Sequence, residues 1–360
     1  MKTDRASRPK YPRRARIVLF ICSCFVALLL GELLVRTAAP QPTYAFPQYL
    51  FENHPTRAYR LTPGVEGIVH TTEYKVPVRI NSRGLRNSEV GERSPTRLRV
   101  LMLGDSFVMG YYSLEERSLV RLVERRLAER YGPVEIINAG VPSYGTVQEL
   151  TFLCEEGEYY RPDVVVLAFC LSNDARDNAN PERYEIVDGW RVREGKKPNL
   201  RSTFFRHSHL YRMVRFMLDD ERVTLERRTR LYQTPQPETM TEAWQATDQA
   251  LAGLVDECSR LSARLYVVAI PEMLQVYPDT WTRVQKDNPK FTLERDLPNR
   301  RLTELCARHG VPCLDLLPLL EKHVDERLYF ETDPHWTPRG CELAGEIVGD
   351  WLAEELGRRD

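Results

Sequence analysis

The sequence predicts a three-layer α/β/α domain with a five-stranded parallel sheet, preceded by one membrane-spanning helix. From Arg97 onward, five short and continuously apolar runs alternate with longer helical patterns, and one long apolar run lies near the N-terminus. Continuous apolar runs are typical of strands whose two faces are both covered by helices. The alternation of strand and helix predicts parallel pairing through right-handed crossovers.

The N-terminal apolar run extends from Ile17 to Val35, and Glu32 is its only charged residue. This length suffices to cross a hydrocarbon core of roughly 30 Å. Seven Lys and Arg residues precede the run, whereas Arg36 is the one nearby cation after it. Because positive charge stays on the cytoplasmic side, we expect a basic cytoplasmic tail at residues 1–16, a transmembrane helix at 17–36 and a periplasmic or otherwise extracytoplasmic remainder.

A cleaved signal peptide is the alternative interpretation of the same run. Thr37, Ala38 and Ala39 are small residues near a plausible cleavage point. The run is longer than the usual apolar region of a signal peptide, which favours an uncleaved, single-pass anchor in the inner, or cytoplasmic, membrane.

Composition narrows the partners and cofactors. Lys and Arg together number 51, and so do Asp and Glu together, which gives a net charge of zero. A chain without net positive charge offers no general attraction for nucleic acid. The six cysteines outside the apolar run stand singly within apolar patterns, which favours free buried thiols, and a bridge between the one close pair, Cys306 and Cys313, is the alternative. Their spacing matches no zinc site, and no motif indicates a metal or other cofactor.

Residues 37–96 are expected to form a stalk and an accessory hairpin. From Pro40 to Pro63 the chain is rich in Pro and aromatic residues without clear periodicity, which suits a stalk along the domain surface. Residues from about His70 to Ile80 alternate like a strand, and a turn sequence follows at 81–84.

The α/β domain is expected to occupy residues 97–360. Its five candidate strands are RVLML, VEIINAG, DVVVLAFC, RLYVVAI and VPCLDL. Helical patterns lie at about 115–131, 145–160, 241–263 and 299–309, and a last one follows Trp336. The interval at about 175–242 is too long for an ordinary loop, so it is an insertion with structure of its own, including a cap helix at about 204–218.

Four polar blocks lie where strands end or a helix begins. In open α/β sheets the carboxyl ends of the strands bind ligands, so these blocks are expected to meet at one edge. They are Gly104-Asp105-Ser106, Asn138-Ala139-Gly140, Ser172-Asn173-Asp174 and Asp333-Pro334-His335-Trp336.

Together these blocks resemble those of the SGNH hydrolases, also called the GDSL esterase/lipase family, from about Arg97 to the C-terminus. The segments GDSFVMGYYSLEERS, NAGVPSYGTVQEL and DPHWTPRG resemble especially its membrane-anchored bacterial branch. The resemblance implies a flavodoxin-like sheet and a catalytic triad of Ser106, Asp333 and His335. It also implies an oxyanion hole formed by Ser106, Gly140 and Asn173. Leu171 departs from the family pattern, which has Gly two residues before the Asn.

The residue types suit acyl transfer. A serine hydroxyl becomes a nucleophile when an imidazole removes its proton, and a carboxylate orients that imidazole. The sequence around Ser106 lacks the G-x-S-x-G pattern of the α/β-hydrolases. Ser106 as a simple helix cap and Asp333 as a helix N-cap are the structural alternatives.

Three functions fit this pattern. The first is an esterase acting on acyl esters of a carbohydrate, lipid or cell-envelope substrate. The second is an O-acyltransferase that passes an acyl group to an extracytoplasmic polysaccharide, since SGNH-like domains resembling the alginate O-acetyltransferases use the same triad to acylate a sugar hydroxyl. The third is a non-catalytic envelope protein, which is disfavoured because every triad position is present.

Overall fold

The computed structural model describes residues 12–41, 46–71, 73–181, 184–193, 195, 204, 207–218 and 229–358. The chain forms two compact units. The helical unit comprises Met1–Tyr44 and Pro198–Asp219, and the sheet unit comprises Ala45–Lys197 and Asp220–Asp360. Most of the expected basic tail, residues 1–11, lies outside the described residues.

Eleven strands are found among the described residues. In chain order they are β1 (Phe51–His54), β2 (Ala58–Leu61), β3 (Glu66–His70), β4 (Lys75–Arg79), β5 (Leu98–Gly104), β6 (Val134–Asn138), β7 (Val164–Cys170), β8 (Tyr184–Val187), β9 (Trp190–Arg193), β10 (Arg264–Ile270) and β11 (Cys313–Asp315).

The α-helices of the described chain are numbered in the same way. They are α1 (Arg13–Ala38), α2 (Ser106–Met109), α3 (Leu119–Tyr131), α4 (Thr146–Tyr160), α5 (Asp174–Asn178), α6 (His209–Leu218), α7 (Glu238–Arg260), α8 (Met273–Val276), α9 (Pro278–Asp287), α10 (Leu297–Arg308), α11 (Leu317–Leu320) and α12 (Pro338–Gly357). Short 3-10 turns lie at Glu115–Arg117, Arg230–Tyr232 and Glu321–His323.

The main sheet confirms the predicted fold class. Five parallel strands lie in the order β6-β5-β7-β10-β11, and each coincides with most or part of one of the five apolar runs. The first of these strands in the chain therefore lies beside both the second and the third, as in the flavodoxin-like order. The chain changes direction across the sheet at β5, so a cleft is expected outside its carboxyl end.

Helices cover both faces of this sheet. Leu101 and Leu103 of β5 belong to a core cluster with Leu153 of α4 and Leu254 of α7. On the sheet, successive side chains point to opposite faces, so the intervening residues Val100 and Met102, which are also buried, face the other layer. There α3 and α12 pack against each other.

The segment expected to be a surface stalk is partly a buried hairpin. Strands β1 and β2 pair antiparallel, with Phe51 opposite Leu61. Leu50, Phe51, Tyr59 and Leu61 are all buried. The aromatic residues here are core residues, because the Tyr59 ring packs edge-on against Phe51 and its hydroxyl donates to Pro142 O (2.7 Å).

The accessory hairpin is present, but its turn differs from the expected one. Strand β3 pairs antiparallel with β4, so the turn lies between His70 and Lys75 and precedes the alternating strand. The sequence at 81–84 forms a separate turn in which Asn81 Oδ1 accepts from Arg83 N and Leu85 N.

The insertion contributes to both units. Helix α5 and the hairpin β8–β9 belong to the sheet unit, whereas α6 belongs to the helical unit. Helix α6 lies within the range predicted for the cap helix, and residues 182–183, 194, 196–203, 205–206 and 219–228 of the insertion lie outside the described residues.

Helix α1 has the length and composition of a membrane span. Its most apolar window has a mean hydropathy of 2.7, and no residue of that window is buried. Among the described residues it is the one helix with these properties. A signal sequence near an N-terminus has the same properties, so the helix is a candidate span.

Candidate active site

Ser106 lies at the carboxyl end of β5, where the strand passes directly into α2. Asp105 caps this short helix, because its Oδ1 accepts from Phe107 N (2.9 Å). Ser106 is the first residue of the helix, and an amide in that position has no acceptor within the helix. The Ser106 N–H is therefore available to a bound anion.

Two glycines, Gly104 and Gly140, allow α2, which begins at Ser106, to pack directly against the backbone. A Cβ on Gly104 would come within 2.4 Å of Val108 Cγ2, and one on Gly140 would come within 2.2 Å of Met109 N. Both positions thus exclude a side chain because α2 packs directly on them. The absence of a side chain at Gly140 is explained by this helix contact rather than by the approach of an oxyanion.

His335 and Asp333 meet Ser106 from the C-terminal part of the chain. His335 Nε2 lies 2.7 Å from Ser106 Oγ, and His335 Nδ1 is hydrogen-bonded to Asp333 Oδ1. The His335 backbone amide also donates to Asp333 Oδ1 (3.0 Å). The three predicted triad residues are therefore brought together in the order hydroxyl, imidazole and carboxylate.

The alternative in which Asp333 caps the last helix does not hold. Thr337 is the N-cap of α12, and its side chain accepts from Gly340 N. Asp333 is left to interact with His335. Burial raises the pKa of Asp333, but the hydrogen bonds from His335 and Tyr74 outweigh it and hold the pKa below its usual range.

A side chain from the accessory hairpin also contacts the triad. Tyr74, in the turn between β3 and β4, donates its hydroxyl to Asp333 Oδ2 (2.9 Å). Its neighbour Glu73 accepts from the backbone amides of Glu331, Thr332 and Asp333 at 2.7, 3.0 and 2.9 Å. Neither residue was predicted, because nothing in the local sequence pairs this turn with a segment some 260 positions away.

The two other predicted oxyanion donors already have acceptors in the structure. Gly140 N donates to Asn138 Oδ1 (3.0 Å). Asn173 Nδ2 faces three carboxylates, those of Asp105, Asp174 and Asp177, at 3.1 to 3.3 Å. Asn173 lines the cleft, while the Gly140 amide is directed to the side chain of Asn138 at the end of β6.

A group of buried acids lies behind Ser106. Asp105, Glu149, Asp174 and Asp177 are almost completely buried. Burial first, and then the neighbouring Asp105 and Asp177, raise the pKa of Glu149 well above its usual value. Both Glu149 carboxyl oxygens lack a hydrogen-bond partner among the described residues. Within that part of the chain, no cluster of three or more His, Cys, Asp or Glu residues is arranged to hold a metal ion.

An open cleft of about 250 Å³ leads to Ser106 and His335. Arg176 and Arg191 line it together with Phe46 and Tyr111. Arg191 comes from β9 of the insertion and donates to Pro142 O (2.6 Å), with its guanidinium 4.8 Å from the centre of the Tyr184 ring. The insertion therefore supplies a fixed cation to the cleft.

Comparison with known proteins identifies relatives of this domain. Residues 102–343 match the model of the GDSL-like Lipase/Acylhydrolase family. A segment of 106 residues is 27% identical to the probable alginate O-acetylase AlgJ of Pseudomonas syringae pv. tomato. The match covers 29% of this chain and 26% of that protein. The chain thus matches only about a quarter of the length of this relative.

Solved structures of low sequence identity are also similar. A lipase/acylhydrolase from Enterococcus faecalis is 18% identical, with 72% of this chain and 96% of that chain covered and a TM-score of 0.39. The psychrotrophic esterase EstA from Pseudoalteromonas sp. is 14% identical, with 72% and 98% covered and a TM-score of 0.39. The family model covers well over half of the sequence, and the chain therefore belongs to the GDSL-like lipase/acylhydrolase family of ester-acting enzymes.

Proposed function

We propose that the protein is a membrane-anchored serine esterase that hydrolyses acyl esters of a carbohydrate, lipid or cell-envelope substrate. The observation that carries this proposal is the hydrogen-bonded series from Ser106 Oγ to His335 (2.7 Å) and from His335 to Asp333. In this arrangement one imidazole contacts both a hydroxyl and a carboxylate through its two nitrogens, which is the requirement for nucleophilic catalysis by serine.

The reaction proceeds in two acyl transfers. Ser106 Oγ attacks the acyl carbon while His335 Nε2 takes the hydroxyl proton, and the imidazolium is stabilised by the Asp333 carboxylate. His335 then protonates the leaving alcohol, which gives an acyl-enzyme. In the second half, His335 takes a proton from water, the water attacks the acyl carbon, and the proton returns to Ser106.

The developing oxyanion is bound at the N-terminus of α2. The Ser106 amide and the Asn173 side chain are the donors that we assign to it, because both border the cleft. Gly140 joins them only if its amide exchanges Asn138 Oδ1 for the oxyanion. Removing one donor of this kind costs about 3 kcal/mol of transition-state stabilisation.

Helix α1 anchors the enzyme in this proposal, with the sheet unit on the extracytoplasmic side. Its apolar window supports a membrane span, and the cations among its first residues and just before it, Lys2 to Arg16, support a cytoplasmic N-terminus.

An O-acyltransferase acting on a polysaccharide is the second candidate. The similarity to a probable alginate O-acetylase favours it, as do Arg176 and Arg191 in the cleft, because guanidinium groups bind the carboxylates of acidic sugars. The triad suits both reactions. They differ in whether water or a sugar hydroxyl reaches the acyl-enzyme.

The test is release of p-nitrophenol from p-nitrophenyl acetate by the full-length protein in detergent micelles. We expect Ser106→Ala to lower kcat by about six orders of magnitude, because the nucleophile is lost while substrate binding remains. Ser143→Ala, which changes another serine of the same cleft, is the matched control and is expected to retain most of the activity. Equal turnover by Ser106→Ala and the parent would refute the assignment of the nucleophile.

The same assay separates the two reactions when a sugar is added. Alginate oligosaccharides and neutral cello-oligosaccharides of equal length are compared as acceptors, and the products are weighed by mass spectrometry. An esterase releases acetate at a rate that neither sugar changes. A gain of one acetyl group by the alginate oligosaccharide, with faster consumption of the ester, would establish the transferase instead.

A further inference from the structure

Glu32, the one acid of the apolar run, links the C-terminal part of α1 to the first turn of α6. We call this contact between the two helices the joint. Glu32 accepts hydrogen bonds from His209 N (3.0 Å) and Leu210 N (2.9 Å). It also accepts from Ser208 Oγ (2.8 Å). The first amides of a helix have no acceptor within that helix, so Glu32 caps α6 from a different helix.

Further contacts close this joint. Arg36 donates both to Glu32 Oε1 (2.8 Å) and to His207 O (2.8 Å). Leu210 packs on Gly31, where a Cβ would come within 3.2 Å of Leu210 Cδ2. The carboxylate thus has a cation, two amides and a hydroxyl as partners, which accounts for an acid inside an apolar run.

The position of Glu32 sets the level of the joint relative to a bilayer. Glu32 lies three residues before Val35, the end of the apolar run, which is about 4.5 Å along a helix axis. A joint at that level lies where the acyl chains meet the headgroups. Helix α6 therefore begins at the membrane surface if α1 spans the bilayer.

Helix α6 carries an apolar stripe that continues away from this joint. Leu210, Met213, Val214, Met217 and Leu218 follow the spacing of one helix face. The stripe begins at Leu210 beside α1, and farther along it Val214, Met217 and Leu218 are 42%, 77% and 71% exposed. An apolar face that starts at a candidate membrane span and remains uncovered requires an apolar environment.

We propose that α6 lies in the lipid surface at the C-terminal end of α1, with Val214, Met217 and Leu218 among the acyl chains. Lipid is the occupant because the stripe is continuous with α1, whose apolar window is itself entirely unburied. The inference depends on the span proposed for α1 and is independent of the chemistry at Ser106.

This arrangement gives the enzyme two membrane attachments. The chain passes between the helical and sheet units after Tyr44, after Lys197 and after Asp219. The sheet unit is consequently tethered to the membrane at the start of its sequence and again on both sides of α6. A substrate carried at the membrane surface would then be presented to an enzyme that is confined there.

The test places a tryptophan on the stripe. Full-length Met217→Trp is incorporated into phosphatidylcholine vesicles whose acyl chains are brominated near the headgroup, since bromine quenches tryptophan only at short range. The parent has five tryptophans, so its fluorescence is subtracted from that of the variant. The remaining fluorescence, which comes from position 217, is expected to be quenched in these vesicles. Val214→Trp, on the same face, is a second reporter if Met217→Trp does not fold.

Two further variants make the result decisive. Leu28→Trp, in α1, is expected to be quenched by bromine deep in the acyl chains, and its failure would refute the span itself. Val324→Trp replaces an exposed residue of the sheet unit (40% exposed) and is expected to be unquenched. A quenched Leu28→Trp together with an unquenched Met217→Trp, or equal quenching at Met217 and Val324, would overturn the proposal for α6 alone.

Discussion

The two halves of the proposed triad are supported by different parts of the molecule. Ser106 is fixed by the main sheet itself, through the end of β5 and the packing of α2 on Gly104 and Gly140. Asp333 lies in a segment outside the main sheet and is held by Glu73 and Tyr74 of a separate hairpin. The proposed nucleophile is therefore positioned by the main sheet, and the acid proposed to orient His335 is positioned by a hairpin outside that sheet.

This difference indicates which substitutions should impair catalysis and which should impair stability. The family match begins at residue 102, so the hairpin that holds Asp333 lies outside the matched region. Substitutions in the hairpin are expected to impair catalysis while the sheet remains intact. Substitutions behind Ser106 are expected to act on stability first.

The largest effect in the hairpin is expected for Glu73→Gln. Burial raises the pKa of Glu73, but hydrogen bonds from Thr332 and from the 331–333 amides outweigh it and keep the carboxylate charged. The amide replacement weakens these charge-assisted bonds and releases the segment that carries Asp333. We expect kcat/KM for p-nitrophenyl acetate to fall by about tenfold to a hundredfold, as for a misplacement near 1 Å. Glu66→Gln, in β3 of the same hairpin, is the control, and equal losses in both variants would contradict the specific role of Glu73.

A smaller effect is expected for Tyr74→Phe, which removes one donor to Asp333 and keeps the ring. Because the Tyr74 hydrogen bond helps to lower the pKa of Asp333, its loss raises that pKa. Activity requires the carboxylate, so the acid side of the kcat/KM profile is expected to move to higher pH, with a loss of about fivefold to tenfold at pH 7 for one hydrogen bond. An unchanged acid limb would reduce Tyr74 to a packing residue. Tyr49→Phe, at an exposed ring, is the control.

The smallest effect on activity, and the clearest one on stability, is expected for Glu149→Gln behind Ser106. Burial and the neighbouring acids raise the pKa of Glu149 well above 4.5 in the folded state. In the unfolded chain Glu149 ionises at lower pH than in the folded protein. Glu149 therefore costs the folded state nothing in acid, but it destabilises the folded state increasingly as the pH rises above about 4.5. The glutamine side chain cannot ionise, so the free energy of unfolding of the variant should exceed that of the parent by an amount that grows by up to about 1.4 kcal/mol for each pH unit. Denaturant unfolding between pH 5 and pH 8 measures this, with the exposed Glu346→Gln as control. Parallel curves for Glu149→Gln and the parent would show that Glu149 ionises normally.

The main sheet could be predicted because its signals are local. Each buried strand is a continuous apolar run, and the polar residues at the strand ends follow from the topology of a parallel sheet. The positions of β5 and of Ser106 required no knowledge of distant contacts. The helices α3, α4, α7, α10 and α12 were predicted to within a few residues by their periodicity, whereas the shorter helices α5, α8, α9 and α11 were not predicted.

The hairpins were predicted less well because their residues serve distant partners. The sequence predicts a stalk around Tyr59, although its hydroxyl donates to a carbonyl more than eighty positions away. Glu73 and Tyr74 are polar residues in a turn, which is ordinary composition for a turn. Their role depends on the position of Asp333, and no local pattern in a single sequence carries that information.

The Glu32 carboxylate also has a consequence for the order in which the protein is made. Its helix is synthesised first, and Ser208 follows 176 residues later. At about 5–20 residues per second, the ribosome needs roughly 10–35 s to reach the residues that cap onto Glu32. During that interval the acid has Arg36 as its near partner in the chain. In the proposed topology, a nascent chain therefore carries an incompletely neutralised charge at the membrane until the insertion is translated, and assembly of the helical unit waits on the middle of the sequence.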